Sequence, residues 1–186
     1  MRWDALFEDL ESQLGSAATI QQESEIRDRT RSEQSRLTLV QRLLGQRGGH
    51  ISLVTGGGRQ LSGMLTTVGA QWIALESEGR FSVVPLASVQ LFRGLGRGVG
   101  QPLAGVQARL GFGSALRGLS QDRAHAVLWL VAPASGLFGV IDRVGADFLE
   151  LGVVASGEER RARTTREVLT VPFSAIDSID AAFPPA

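Results

Sequence analysis

The chain has 186 residues, 43% of them hydrophobic, which is enough apolar side chain for a packed core and excludes wholesale disorder. Its 19 basic and 19 acidic residues balance to a formal net charge of zero, so no global electrostatic pull toward nucleic acid or anionic lipid follows. Cysteine is absent, which removes disulfides, thiolate metal sites and cysteine nucleophiles.

The first stretch, MRWDALFEDLESQL, carries acids where a signal peptide would carry a basic region and a continuous apolar run. No apolar run anywhere approaches the roughly 18 residues that span a bilayer, so the expected compartment is the cytoplasm, with no membrane contact. From Asp4 to about Gly45 there is no proline, and Gly15 is the single interior glycine. Trp3, Leu6, Phe7, Leu10 and Leu14 recur at three- and four-residue spacing, one face of an amphipathic helix. That face is the candidate partner surface, suited to dimerising or to docking in a groove, against the plainer account that it packs on the protein's own β domain. Residues 21–36 are almost wholly polar, with alternating acids and arginines that suit an exposed helix. Apolar periodicity returns at Leu37, Leu39, Val40, Leu43 and Leu44 and stops at Gly45.

Residues 50–92 are rich in Val, Ile, Leu and Thr, with glycines at short intervals, and predict a meander of about five short strands. The run Thr55–Gly58 falls where a hairpin turn is needed, since glycine tolerates the positive φ of such turns.

A repeat search then orders the whole chain. Residues 63–75, GMLTTVGAQWIAL, align without a gap on residues 139–151, GVIDRVGADFLEL, at a constant offset of 76. Gly63, Val68, Gly69, Ala70 and Leu75 meet identical partners, and Met64, Leu65, Trp72 and Ile73 meet the apolar Val140, Ile141, Phe148 and Leu149. Downstream, residues 83–89 match residues 170–176 at an offset of 87, so the second copy carries about eleven extra residues between its middle strands. The expected organisation is a helical segment over 1–36, a first small β-barrel with a leading helix over 37–92, a Gly/Arg-containing linker over 93–112, a second such barrel over 113–180 and a tail over 181–186. The predicted class is mainly β with α: two five-stranded barrels in tandem behind a long N-terminal amphipathic helix.

This order of one helix and five strands, with glycine turns and a VP step before the last strand, resembles the Sm-like barrel, a relative of the SH3-like barrels. The resemblance covers about 55 to 65 residues per copy. Sm-like RNA binders place an Asp and an Asn around the turn after the second strand to hold a uridine. The matching positions here are Gly69 and Ile73, then Gly145 and Leu149, so the resemblance implies the fold without the uridine readers. The whole chain, opening MRWDALFEDLE and containing VGADFLEL, also resembles an uncharacterised family of actinobacterial proteins, some members of which carry a transcriptional-regulator label. The lysine-free, all-arginine basic set suits such a GC-rich source. No helix-turn-helix pattern accompanies the label.

The chemistry-bearing residues are few. Trp72 and Phe148 occupy equivalent positions and are either base-stacking platforms or core residues; their apolar neighbours favour core. Arg93, Arg97, Arg109, Arg117 and Arg123 in and around the linker, and Arg160, Arg161, Arg163 and Arg166 in the insert, are the candidate phosphate contacts, the latter diluted by Glu158, Glu159 and Glu167. The glycines of residues 94–100 lack the Lys-Ser/Thr pair of a phosphate loop and read as a flexible connector. His50 and His125 have no second ligand at metal spacing, and Asp142, Asp147 and Glu150 form no paired-carboxylate motif. No cofactor and no small-molecule substrate are expected. The residues therefore predict a non-enzymatic interaction or scaffold protein whose partner is another protein or a second copy of itself; the alternative is an RNA- or DNA-binding regulator using the arginines on the barrels.

Overall fold

The structure is a computed structural model that describes residues 29, 31–32, 34–123, 125–153 and 167–181. The helix face of Trp3, Leu6, Phe7, Leu10 and Leu14, and the insert arginines Arg160, Arg161, Arg163 and Arg166, lie outside the described residues. The chain divides into a unit over Met1–Thr38 and a unit over Leu39–Ala186. In the first, the Ser35 hydroxyl donates to the Ser32 carbonyl at 2.8 Å across a helical turn.

The second unit is mainly β, a ten-stranded antiparallel sheet with two helices. The short helix α1 spans Leu39–Leu44 and buries Leu43 completely. Strands β1 (His50–Thr55), β2 (Gln60–Val68), β3 (Trp72–Ser77), β4 (Arg80–Pro85) and β5 (Val89–Arg93) follow. Ile51, Leu53 and Thr55 of β1 are buried and their neighbours are not, the period of two expected of a strand with one face on the core. Helix α2 (Phe112–Gln121) buries Phe112, Leu116 and Leu119 at helical spacing. It leads into β6 (His125–Leu130), β7 (Gly136–Val144), β8 (Phe148–Val153), β9 (Val168–Pro172) and β10 (Ile176–Ala181). The strands lie in the order β5-β1-β2-β3-β4-β10-β6-β7-β8-β9, two blocks of five with the same internal order, the fifth strand of each lying beside its first.

Register repeats with the sequence. Trp72 faces Pro85 across β3 and β4, and Phe148 faces Pro172 across β8 and β9. The β2–β3 ladder skips Thr66 and the β7–β8 ladder skips Asp142, 76 positions on. The ladders of the fifth strands skip Gln90 and Asp177, 87 positions apart. Bulges re-aim side chains, so matching bulges point equivalent residues the same way in both blocks. The Val-Gly-Ala bends match too. Gly69 N–H donates to the Trp72 carbonyl and Gly145 N–H to the Phe148 carbonyl, both at 2.8 Å. A Cβ at either glycine would overlap the aromatic ring lying over it.

Two core clusters fill the sheet. One gathers Leu43 of α1 with Ile51, Leu53, Leu65, Ile73 and Val84. The other gathers the buried face of α2 with Leu128, Ile141, Leu149, Leu151 and Ile179. Each fully buried Leu or Ile contributes about 1.5–3 kcal/mol. Phe112 and Phe173 close the second cluster in an edge-to-face contact, centroids 5.4 Å apart.

Residues 94–100 differ from the expected flexible connector. Arg42 of α1 donates to the Gly96 carbonyl at 2.5 Å, Gln46 exchanges bonds with Gly96 and Gly98, and Gly100 N–H donates to the Gln41 carbonyl at 2.8 Å. The backbone passes so near the end of α1 that a Cβ at Gly98 or Gly100 would crowd its backbone. These glycines serve close approach rather than slack.

Candidate interaction site at the strand seam

The two blocks meet along one strand pair. β4 runs antiparallel to β10 with Val83 opposite Ile179, Ser82 opposite Asp180 and Phe81 opposite Ala181. Val83 belongs to the first block, yet its side chain sits in the core cluster of the second. Next to it in sequence, Val84 points into the first core. Alternation along a single strand therefore feeds both cores.

A polar clamp reinforces this pair. Asp180 accepts hydrogen bonds from Arg59 Nη2 at 2.7 Å, Ser82 Oγ at 2.7 Å and Trp129 Nε1 at 2.8 Å. Arg59 comes from the β1–β2 hairpin of the first block and also donates to the Ser178 hydroxyl. Its guanidinium carbon stands 4.2 Å from the centroid of the Trp129 ring, a cation–π contact. Three residues earlier on β10, the carboxylate of fully buried Asp177 accepts from Thr55 Oγ1 at 2.7 Å and from Gly57 N–H at 2.8 Å. Ser88 donates to the Asp177 backbone carbonyl at 2.6 Å. Four polar side chains of the first block, those of Thr55, Arg59, Ser82 and Ser88, thus bond directly to β10. Among the described residues no buried side-chain nitrogen or oxygen lacks a partner. The seam is satisfied, so its charges hold two surfaces together instead of waiting for a ligand.

A groove of about 620 Å³ borders the seam, lined by Ser62, Ser77, Arg80, Trp129, His125 and Phe138 among others. The His125 ring stacks on Phe138 with centroids 5.4 Å apart and planes 14° from parallel. Two carboxylates line this groove: Asp180 is committed to the clamp, and Glu78 is exposed at the β3–β4 turn. Among the described residues no group of three or more His, Asp or Glu is placed to hold a metal ion. None of the described helices is long and apolar enough to cross a membrane.

The candidate arginines that the structure describes occupy separate segments. Arg93 is exposed at the end of β5, Arg97 is exposed in the linker, and Arg109 is exposed in a 3-10 turn over Gln107–Arg109. Arg117 lies on α2 and donates to the Gly145 carbonyl at 3.2 Å. Arg123 follows α2 with φ of 47°. Trp72 packs against the second core cluster and donates from its indole to the Leu110 carbonyl at 3.2 Å. Phe148 is half-buried over Gly145. His50 is exposed, Asp142 is exposed, and Glu150 pairs with Arg143 at 3.6 Å.

The seam residues Arg59, Trp129, Asp177 and Asp180 escape a reading of motifs. Their signal is a mismatch between copies. At the repeat offsets of 87 and 76, Asp177 aligns with Gln90, Asp180 with Arg93 and Ser135 with Arg59, while in strand register Trp129, opposite Gly136, takes the place of Val54, opposite Gln60. Positions at which the two copies carry different side chains are those where one copy meets surroundings that the other does not. No family model and no curated protein matches this chain.

Proposed function

We propose that this chain is a non-enzymatic interaction scaffold of the cytoplasm, made of two tandem Sm-like small barrels that act through their strand edges. The strand order supports the barrel reading. β4 and β5 lie at opposite ends of a five-strand block, yet only the 3-10 turn Leu86–Ser88 joins them. Laid flat, four strand spacings would part them by roughly 19 Å, whereas the chain from Pro85 to Val89 reaches at most about 14 Å. The block must curl until its edges approach. The turn Phe173–Ala175 makes the same demand on β9 and β10. Barrels of about 60 residues are marginal alone, and joining two of them through a shared sheet relieves that weakness.

The observation that carries the interaction reading is the β4–β10 seam, where one block recognises the other by strand pairing, a shared core residue and a charged clamp. The polar groups at the seam are fully engaged in adhesion, which suits assembly and not turnover. The nucleic-acid alternative makes a distinct prediction about salt. Several phosphate contacts would make affinity for a labelled RNA or DNA fall steeply between low and physiological salt. Mixing the full chain with fluorescent single- and double-stranded oligonucleotides at low ionic strength is expected to leave their anisotropy unchanged. A salt-sensitive rise would overturn the scaffold reading in favour of a nucleic-acid regulator.

A further inference from the structure

A second groove, of about 510 Å³, takes one wall from the first block and the other from the second. Ala74 and Val83 face each other across β3 and β4, and Leu119 comes from α2. All three are buried and form the floor. Half-buried Trp72 of β3 stands on one side, with Gly118 of α2 and Asp122 at the helix end on the other. We propose that this groove binds a small molecule with an apolar, ring-bearing body and a single protonated amine. The proposal goes beyond the scaffold reading and does not depend on it.

The groove has the character of a ligand pocket. Such pockets enclose about 300–1,000 Å³, are lined mostly by apolar and aromatic side chains, and carry a few polar groups that fix orientation. Trp72 already commits its indole N–H to the Leu110 carbonyl at 3.2 Å. The ring is thereby held in place and presents a guest with its π surface and apolar edge, which favours a second ring in offset or edge-on contact.

Gly118 is the second sign. It stands inside α2, where glycine is less stable than alanine because it has more backbone freedom to lose. Neither crowding nor a positive φ requires glycine there: a Cβ would meet no described atom within 4 Å. Gly113 on the same helix differs, since a Cβ there would lie 3.3 Å from the Phe173 ring. Gly118 keeps open a space that the described residues leave unfilled, and that space adjoins the groove.

Charge selects the guest. Among the described residues Asp122 is the only ionisable side chain lining the groove, and the adjoining Arg123 does not line it. The Asp122 carboxylate has no hydrogen-bond or ion-pair partner among them. A cationic nitrogen at one end of an apolar guest supplies that partner, whereas an anion at the same end is repelled.

The test titrates the full chain calorimetrically with naphthylethylamine, and with naphthylethanol and naphthylacetate as its neutral and anionic counterparts. Saturable binding is expected for the amine, about two- to fivefold weaker for the alcohol, the range of an exposed ion pair, and weakest for the acid. Asp122→Asn should erase the preference for the amine while leaving the affinity for the alcohol. Gly118→Leu, which fills the open space, should weaken amine and alcohol at least about tenfold. Its melting temperature should be no lower than the parent's, because leucine is the better helix former. Gly118→Ala reads the same loss on a smaller scale should the larger side chain disturb the fold. No saturable binding of the amine, tightest binding of the acid, or full affinity in folded Gly118→Leu overturns the proposal. None of these results touches the scaffold reading, which rests on the seam and is decided by the oligonucleotide titration.

Discussion

The internal seam and the two open edges are built at the same positions of one repeat, and they differ almost wholly in side chains. At the seam, Val83 enters a neighbouring core, while at the open edge its counterpart Thr170 is exposed. Asp180 gathers Arg59, Ser82 and Trp129, while its counterpart Arg93 ends β5 in solvent. Backbone pairing is available at every strand edge and discriminates little. The difference teaches that permanence is written in a handful of substitutions laid over a common ladder.

The largest way to break that comparison is Asp180→Ala. It leaves the partly buried Arg59 guanidinium without its carboxylate and is expected to cost about 2–3 kcal/mol. The same truncation at the equivalent position, Arg93→Ala, should stay within about 0.5 kcal/mol. Urea denaturation of the two proteins makes the comparison directly, and equal losses would show that the clamp contributes nothing to the seam.

A smaller effect tests where the blocks are alike. Gly69→Ala and Gly145→Ala each press a methyl group into the ring above it, Trp72 or Phe148. Overpacking of this kind costs about 1–3 kcal/mol, and the two losses should match within experimental error. A large inequality in their melting temperatures would mean that the two bends are not equivalent.

The smallest effect comes from exchanging one residue across the comparison. Val83→Thr gives the seam the residue of the open edge and places a hydroxyl among apolar neighbours, for an expected loss of about 1 kcal/mol. The reciprocal Thr170→Val, at an exposed edge position, should shift stability by no more than about 0.5 kcal/mol. Chemical denaturation reads both, and equal losses would show that the two edges are alike.

Much of the β structure is legible in the chain itself. Alternation in residues 50–55 marks β1, the glycine run after Thr55 marks its hairpin, and the aligned residues 63–75 and 139–151 become paired strands joined at matching bends. Local patterns suffice there because a half-buried strand must alternate and a tight bend must be glycine. Residues 94–100 show the opposite. Their glycines look like slack in one dimension and turn out to accommodate the end of α1, a neighbour far away in sequence. The clamp residues are invisible to motif reading for a related reason: Arg59 and Asp180 stand more than a hundred positions apart, and neither carries meaning until the strands bring them together.

What the sequence alone determined about this protein is the set of strands, their order along each copy and the bends that join them. Those follow from interactions between near neighbours and from backbone hydrogen bonding that any suitable strand satisfies. Four block edges, those of β4, β5, β9 and β10, were open to pairing on that basis. Only the tertiary structure decided that β4 takes β10, because the choice depends on charge and shape meeting in space, and those are properties of side chains from both copies at once.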